Sequence, residues 1–363
     1  MAPLLPATTT AATRSAAIRA QLTHPVIDAD GHALEFGPVY FDYLHQVAGA
    51  HVTARYAAKR DDGGWDRLTP AQRRYQRVTR PTAWAHPTRN TLDRATAMLP
   101  ALLRARLDAF GLDFAIVYPT LALAIMREDD EELRRATCRA LNVMLADNFR
   151  AQADRMTPVA TIPAHTPQEA IEELEYAVQT LGFKAVMINS NVKRPIPAAV
   201  EHAPHLAAYA GWIDTLCVDS PYDYDPLWAK CVELQVAVTA HSPSTGWGSR
   251  VTTNHYIYNH VGSFAAAGEA FAKALVLGGV TQRFPTLHFG FLEGGVAWAA
   301  DLYAGLVGHC GKRHRRVIDR YDPQHIDLEQ LADLFGTYGG TMVKGRPDPQ
   351  DPELARTMVS RTP

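Results

Sequence analysis

Six short apolar runs, each ending in polar residues and separated by stretches of helical pattern, constrain this chain more than any other feature. They are residues 26–32 (VIDADGH), 114–120 (FAIVYPT), 157–163 (TPVATIP), 183–189 (FKAVMIN), 234–241 (LQVAVTAH) and 287–293 (LHFGFLE). Strands that alternate with helices form βα units, and such units place their strands side by side in a parallel sheet covered by helices. The chain has 363 residues, and α/β barrels commonly run past roughly 250 residues as one domain. The expected fold is therefore α/β, built around one large core.

The helical stretches carry their own punctuation. In HTPQEAIEELEYAVQTLG, Thr166 is placed to cap the helix, Pro167 suits the first helical position, Glu169 closes a capping box and Gly182 stops the helix. In YDPLWAKCVELQ, Asp225 followed by Pro226 reads as a second cap. A long polar stretch at about 36–90, containing YAAKRDDGGWDRLTPAQRRYQR, reads as an insertion leaving the barrel rather than a separate domain. Residues 1–23, rich in Ala and Thr, read as a flexible leader, and 336–363 as a polar tail.

Composition narrows the function classes. Hydrophobic residues make up 47% and charged residues 20% of the chain, the profile of a globular protein. With a formal net charge of −2 and no basic block, the footprint of a nucleic-acid binder is missing, and a small-molecule substrate is the expected partner. No stretch reaches ~18 apolar residues, so no membrane span is expected. Cys138, Cys217, Cys231 and Cys310 lack the spacing of a zinc knuckle or a disulfide framework. A reducing cytoplasm is the expected compartment. G-x-S-x-G is absent and no cysteine ends an apolar run, which argues against a serine or cysteine nucleophile.

In parallel α/β folds the loops after the strands converge on one face, so residues at strand ends meet. Asp30 and His32 end the first run, His241 the fifth and Glu293 the sixth. Residues i and i+2 of a strand share a face, so Asp30 and His32 can point together into a barrel mouth. With His241 from across the sheet they make a candidate divalent-metal set. Glu35, in the loop after Gly31, is a candidate ligand or base that could equally face solvent. His260, in NHYIYNHVGSF, could meet a substrate or a second metal, or could cap the helix that follows.

These residues resemble the amidohydrolase-related branch of the metal-dependent hydrolases. The likeness rests on VIDADGHALE, RNTLDRATAMLP, RLDAFGLDFAIVYPT, IPAHTPQEAIEELEYA, GFKAVMI, DYDPLWAKCVELQVAVTAHS and RFPTLHFGFLEGGVAWA, spread over residues 24–335. It implies a TIM-like (β/α)8 barrel. It also implies that Asp30 and His32 stand where the superfamily usually has H-x-H, that His241 is the fifth-strand histidine, and that Glu293 replaces a histidine frequent in relatives. The resemblance further implies two closing strands, the last ending in an aspartate. The residues after 335 carry no apolar run long enough for either. The barrel is thus expected to be incomplete at its C-terminus: truncated, completed by a partner chain or a second copy, or working without that aspartate.

The function expected from these residues is metal-dependent hydrolysis of an amide, ester or related bond in a small organic molecule. A cation on Asp30, His32 and His241 would activate water, and Glu293, Glu35 or His260 would handle protons. Zinc stands first for this mixed N/O set, with manganese or iron as alternatives. Non-oxidative decarboxylation, or an inactive incomplete barrel, are the other readings.

Overall fold

The computed structural model describes residues 13–61, 64–82, 90–244, 247–314, 317 and 325–345. They fall in two compact units, Met1–Trp298 and Ala299–Pro363. Among the described residues the first contains eight strands: β1 (Ile27–Ala33), β2 (Phe114–Pro119), β3 (Met156–Ile162), β4 (Ala185–Ile188), β5 (Val192–Pro195), β6 (Gly211–Asp214), β7 (Val238–Ala240) and β8 (Phe289–Phe291). Six of them form a curled parallel sheet in the order β1-β2-β3-β4-β7-β8, and β5 and β6 make a separate antiparallel pair. All six apolar runs thus become neighbouring strands of one sheet.

Three runs yield markedly shorter strands than their sequence suggests: 183–189 keeps Ala185–Ile188, and 234–241 and 287–293 keep three residues each. Residues 234–237 finish the preceding helix, Asp225–Glu233: Leu234 caps it, Gln235 takes a left-handed φ of 55° and the Val236 amide returns to the Cys231 carbonyl. Only Val238–Ala240 remain for the ladder. The run at 287–293 likewise gives its first residues to a turn, with the Leu287 amide on the Phe284 carbonyl. The β5–β6 hairpin, too short and polar to stand out in the sequence, is fastened by Arg194, which pairs at 2.9 Å with the buried Asp214 and donates to the Tyr224 hydroxyl and the His165 carbonyl.

The capping box at Thr166 and Glu169 forms as read. The cap at Asp225 does not: Tyr224 precedes the helix without a side-chain cap, while Asp225 lies inside the first turn and binds Arg283 through both oxygens. Glu169 also receives the buried guanidinium of Arg134 at 2.8 Å, tying the helix Glu131–Phe149 to the next βα unit. Breaking one partner of such a buried pair costs roughly 3–5 kcal/mol, because a charge is left unpaired.

The start of the polar stretch after β1 is part of the core. The helix Gly37–Asp61, kinked at Gly49, buries Tyr40, Leu44, Val52 and Tyr56. The pairs 40/44 and 52/56 have the i, i+4 spacing that puts residues on one face, and each large apolar side chain buried contributes about 1.5–3 kcal/mol. The described part of the expected leader carries structure as well. Residues 14–19 form a helix, and Arg19 grips both carboxylate oxygens of Asp113 just before β2. Residues 1–12 lie outside the described residues.

In the second unit the described elements are helices: most of Ala297–Arg313, then Leu328–Tyr338 capped by Asp327, and a 3-10 turn at Gly340–Val343. The expected tail from 336 therefore begins within a helix, and residues 346–363 lie outside the described ones. Among the described residues no strand follows β8, and no helix is long and apolar enough to cross a membrane.

Candidate metal centre

β1 explains why carboxylates and a histidine follow one another so closely. Its burial alternates from the start, with Ile27 and Ala29 exposed while Asp28 and Asp30 are partly buried. The acidic side chains, not Ile27, occupy the inner face. The register with β2 shifts between Asp28 and Gly31, the mark of a bulge that re-aims side chains. Asp28 Oδ1 accepts from the Asp30 amide at 3.1 Å. Gly31 suits this bend because a Cβ there would lie 3.0 Å from Asp28 Oδ2.

Asp30, His32 and His241 converge, each offering one ligand atom, all within 4.8 Å of one another. The two Nε2 atoms are 2.8 Å apart, and Asp30 Oδ1 lies 4.0 Å from His32 Nε2 and 3.9 Å from His241 Nε2. Atoms 2.8, 3.9 and 4.0 Å apart share a point about 2.1 Å from each, inside the roughly 2.0–2.2 Å range of zinc–nitrogen and zinc–oxygen bonds. Asp30 Oδ1 is buried with no hydrogen-bond donor. A buried, unsatisfied carboxylate oxygen is costly, and a cation at the shared point removes that cost. One carboxylate and two imidazoles suit zinc, manganese or ferrous iron. The residues present therefore fit a divalent ion.

Electrostatics point the same way. Burial, then the charges of Glu293 and Asp28, push Asp30 up to about 6, against the Glu293 amide hydrogen bond that lowers it. Burial holds His32 below the ordinary imidazole range, and burial together with His32 brings His241 down to about 3. Both shifts favour the neutral ring, the state in which imidazole binds metal.

Glu293 closes the far side. Its Oε2 is 3.5 Å from His241 Nε2 and its amide donates to Asp30 Oδ2 at 3.0 Å. Its backbone is left-handed, with φ 56°. Burial raises its carboxyl above the ordinary range, and the neighbouring charge of His260 opposes that rise. Glu35 lies apart from this cluster. Its Oε2 accepts from the Leu121 amide at 3.0 Å, and the residue lines a cavity of about 650 Å³ bounded by Val39, Met98, Leu99 and Phe149. None of Asp30, His32 or His241 lines that cavity. His260 ends the short helix Tyr256–His260, stacks on Tyr256 and gives its Nδ1 to the Thr82 carbonyl at 3.0 Å.

Two residues at the centre escape the sequence reading. Thr120 Oγ1 is 3.2 Å from His32 Nδ1, and the Thr120 amide donates to the Ala33 carbonyl. Tyr118, 1% exposed, has its ring centre 6.1 Å from those of both His32 and His241. Their signal is the polar end of FAIVYPT, where the strand-end rule applies as it does to β1, β7 and β8. His241 itself is held from outside: Phe264 packs edge-on at 5.0 Å, and Ser242 Oγ accepts from the Ser190 amide at 2.7 Å.

A sequence model of the amidohydrolase family matches residues 27–357. A gamma-resorcylate decarboxylase of Rhizobium sp. (strain MTP-10005) is 21% identical over 240 residues, which are 63% of this chain and 63% of that protein. The match thus spans less than two thirds of that relative's length. Among solved structures, an amidohydrolase of Mycobacterium avium subsp. paratuberculosis superposes with a TM-score of 0.53 at 18% identity, covering 87% of this chain and 88% of that one. A 5-carboxyvanillate decarboxylase of Novosphingobium aromaticivorans, solved with manganese and 3-methoxy-4-hydroxy-5-nitrobenzoic acid, superposes with a TM-score of 0.51 at 18% identity, covering 81% and 74%. At these identities the structural likeness speaks to the fold alone.

Proposed function

The chain belongs to the amidohydrolase family, and on that premise we propose that it is a metal-dependent, non-oxidative decarboxylase of small aromatic carboxylic acids. The observation that carries this reading is the shared point of Asp30 Oδ1, His32 Nε2 and His241 Nε2, with the Glu293 carboxyl beside it. The decarboxylase name of the sequence relative supports it over hydrolysis.

A divalent cation held by these three residues would supply the positive charge that anchors the substrate's oxygens and polarises its ring. Glu293, whose carboxyl Oε2 lies 3.5 Å from His241 Nε2, stands beside that point as the proton donor. It delivers the proton to the ring carbon bearing the carboxylate. The bond from that carbon to the carboxylate then breaks, its electron pair returns to the ring, and carbon dioxide leaves. Glu293 recovers its proton from water. Thr120 orients His32, and Phe264 and Tyr118 keep the rings of His241 and His32 enclosed.

Hydrolysis of an ester or amide is the second reading, favoured by the same 3.5 Å approach of Glu293 to His241, which would place a carboxylate to take a proton from water. The two separate in one assay. The chain loaded with manganese or zinc is incubated with gamma-resorcylate, with 5-carboxyvanillate, and with aryl esters and anilides. Release of carbon dioxide from an aromatic acid supports the proposal, whereas cleavage of esters or anilides with no carbon dioxide release replaces it with the second reading.

A further inference from the structure

The stretch 64–82, polar in sequence, is docked onto the loop that follows β7. The Trp65 indole N–H donates to the Thr253 carbonyl at 2.6 Å. Two guanidinium groups lie over its ring, Arg73 at 3.4 Å and Arg80 at 4.8 Å from the centre, and Arg73 Nε also donates to the Trp65 carbonyl. An indole face attracts such cations electrostatically, so three residues of the stretch lock together. The backbone then joins in: the Arg80 amide donates to the Thr252 carbonyl at 3.1 Å, and Asn259 Nδ2 donates to the Arg80 carbonyl at 2.8 Å. Thr82, Thr253 and Asn259 are all buried at this contact.

The last bond of the series reaches a titratable ring. The Thr82 carbonyl faces His260 Nδ1 at 3.0 Å. A carbonyl only accepts, so Nδ1 carries the proton, and in the neutral ring Nε2 becomes the acceptor. A histidine side chain in water favours the opposite tautomer, so this arrangement is imposed by the contact. His260 stacks on Tyr256 with ring centres 5.4 Å apart and lies 6.2 Å from Phe264, the ring that packs on His241. It is therefore one ring removed from the candidate metal centre.

We infer that segment 64–82 is a positioning strap for that centre: Trp65 anchors it, and the Thr82 carbonyl fixes His260, one ring removed from His241, in the Nδ1–H tautomer. The inference rests on the reading of the strand ends as the reaction site. Trp65 and Thr82 are positioning residues, acting through His260.

The test uses the full chain with nitrogen-15 histidine, the His260 signals being assigned with His260→Gln. In the parent protein the long-range proton–nitrogen spectrum shows His260 as the Nδ1–H tautomer. In Trp65→Ala that signal moves toward the Nε2–H tautomer, amide hydrogen exchange rises at least tenfold in both 64–82 and 252–260, and metal content is unchanged. Trp65→Phe keeps a face for the guanidinium groups but loses the N–H donor. It gives an intermediate shift and decides the matter if the alanine variant does not fold. A parent His260 in the Nε2–H form overturns the inference, as does faster exchange confined to 64–82 with the His260 tautomer unmoved. The spectra are also recorded on metal-free protein. Failure to bind metal then counts against the proposed function alone, while an unmoved tautomer counts against the strap alone.

Discussion

The backbone amide of Glu293 donates to Asp30 Oδ2 at 3.0 Å, joining the ends of β8 and β1 across 263 residues of sequence. This bond uses the main chain, so the Glu293 carboxyl is spared for chemistry while its backbone helps hold a ligand carboxylate. Replacing the side chain then separates the two roles. Glu293→Gln is expected to lower turnover at least ~100-fold, the scale of general acid–base catalysis, while metal content stays at the parent level. Turnover assays paired with elemental analysis check this. A Gln variant that loses its metal would make Glu293 a ligand instead.

Thr120 predicts a second effect. Its Oγ1 is placed to receive the Nδ1 proton of His32, leaving Nε2 for a cation. Thr120→Val keeps the shape and removes the oxygen, and should weaken metal affinity by about 10- to 100-fold. Thr120→Ser should restore most of it. Metal titrations monitored by competition with a chelating dye measure both, and equal affinity in the Val and parent proteins would show that His32 is held by packing alone.

Glu35 makes stability depend on pH. Burial pushes its carboxyl up to about 7 from the ordinary 4.5, against the amide donors of Glu35, Leu121 and Thr120. The folded chain thus keeps this proton where the unfolded chain has lost it. The contribution is fully present below about pH 4.5 and is lost as pH rises toward about 7, an effect of about 3 kcal/mol at most. Glu35→Gln does not titrate. Its stability relative to the parent should therefore rise between about pH 5 and pH 8, as read by urea unfolding. Parallel pH dependences for the two proteins would contradict this.

Much of this arrangement is legible without coordinates, for a physical reason. Strand ends are places where an apolar run stops, so Asp30, His32, His241 and Glu293 stand out against Val26, Ala240 and Leu292. Thr120 and Tyr118 are less visible because Tyr and Thr are ordinary strand residues and only the neighbouring rings give them a role. The inward turn of Asp28 and Asp30 depends on a bulge at Gly31, set by pairing with a strand more than eighty residues away. Trp65 and Thr82 are harder still. Their partners, Thr253 and His260, are 188 and 178 residues distant, and no local periodicity encodes such a contact.

The sheet makes a prediction about association. Among the described residues, β1 and β8 each pair on one side only, and Ile27 on β1 is 55% exposed. Unpaired strand edges template pairing with another chain. Light scattering is expected to give a mass above that of the 39.9 kDa chain, and Ile27→Lys should shift it downward. A monodisperse monomer would show that the edges are protected.

The central claim, that Asp30, His32 and His241 hold a divalent ion at their shared point, is tested most directly by metal stoichiometry. Protein stripped with a chelator, reloaded with zinc or manganese and desalted should retain about one ion per chain by elemental analysis, as a single set of three ligands requires. His241→Ala should retain almost none, and Cys231→Ala, buried away from the centre, should match the parent. Retention near zero in the parent after reloading, or equal retention in the parent and His241→Ala, would contradict the account.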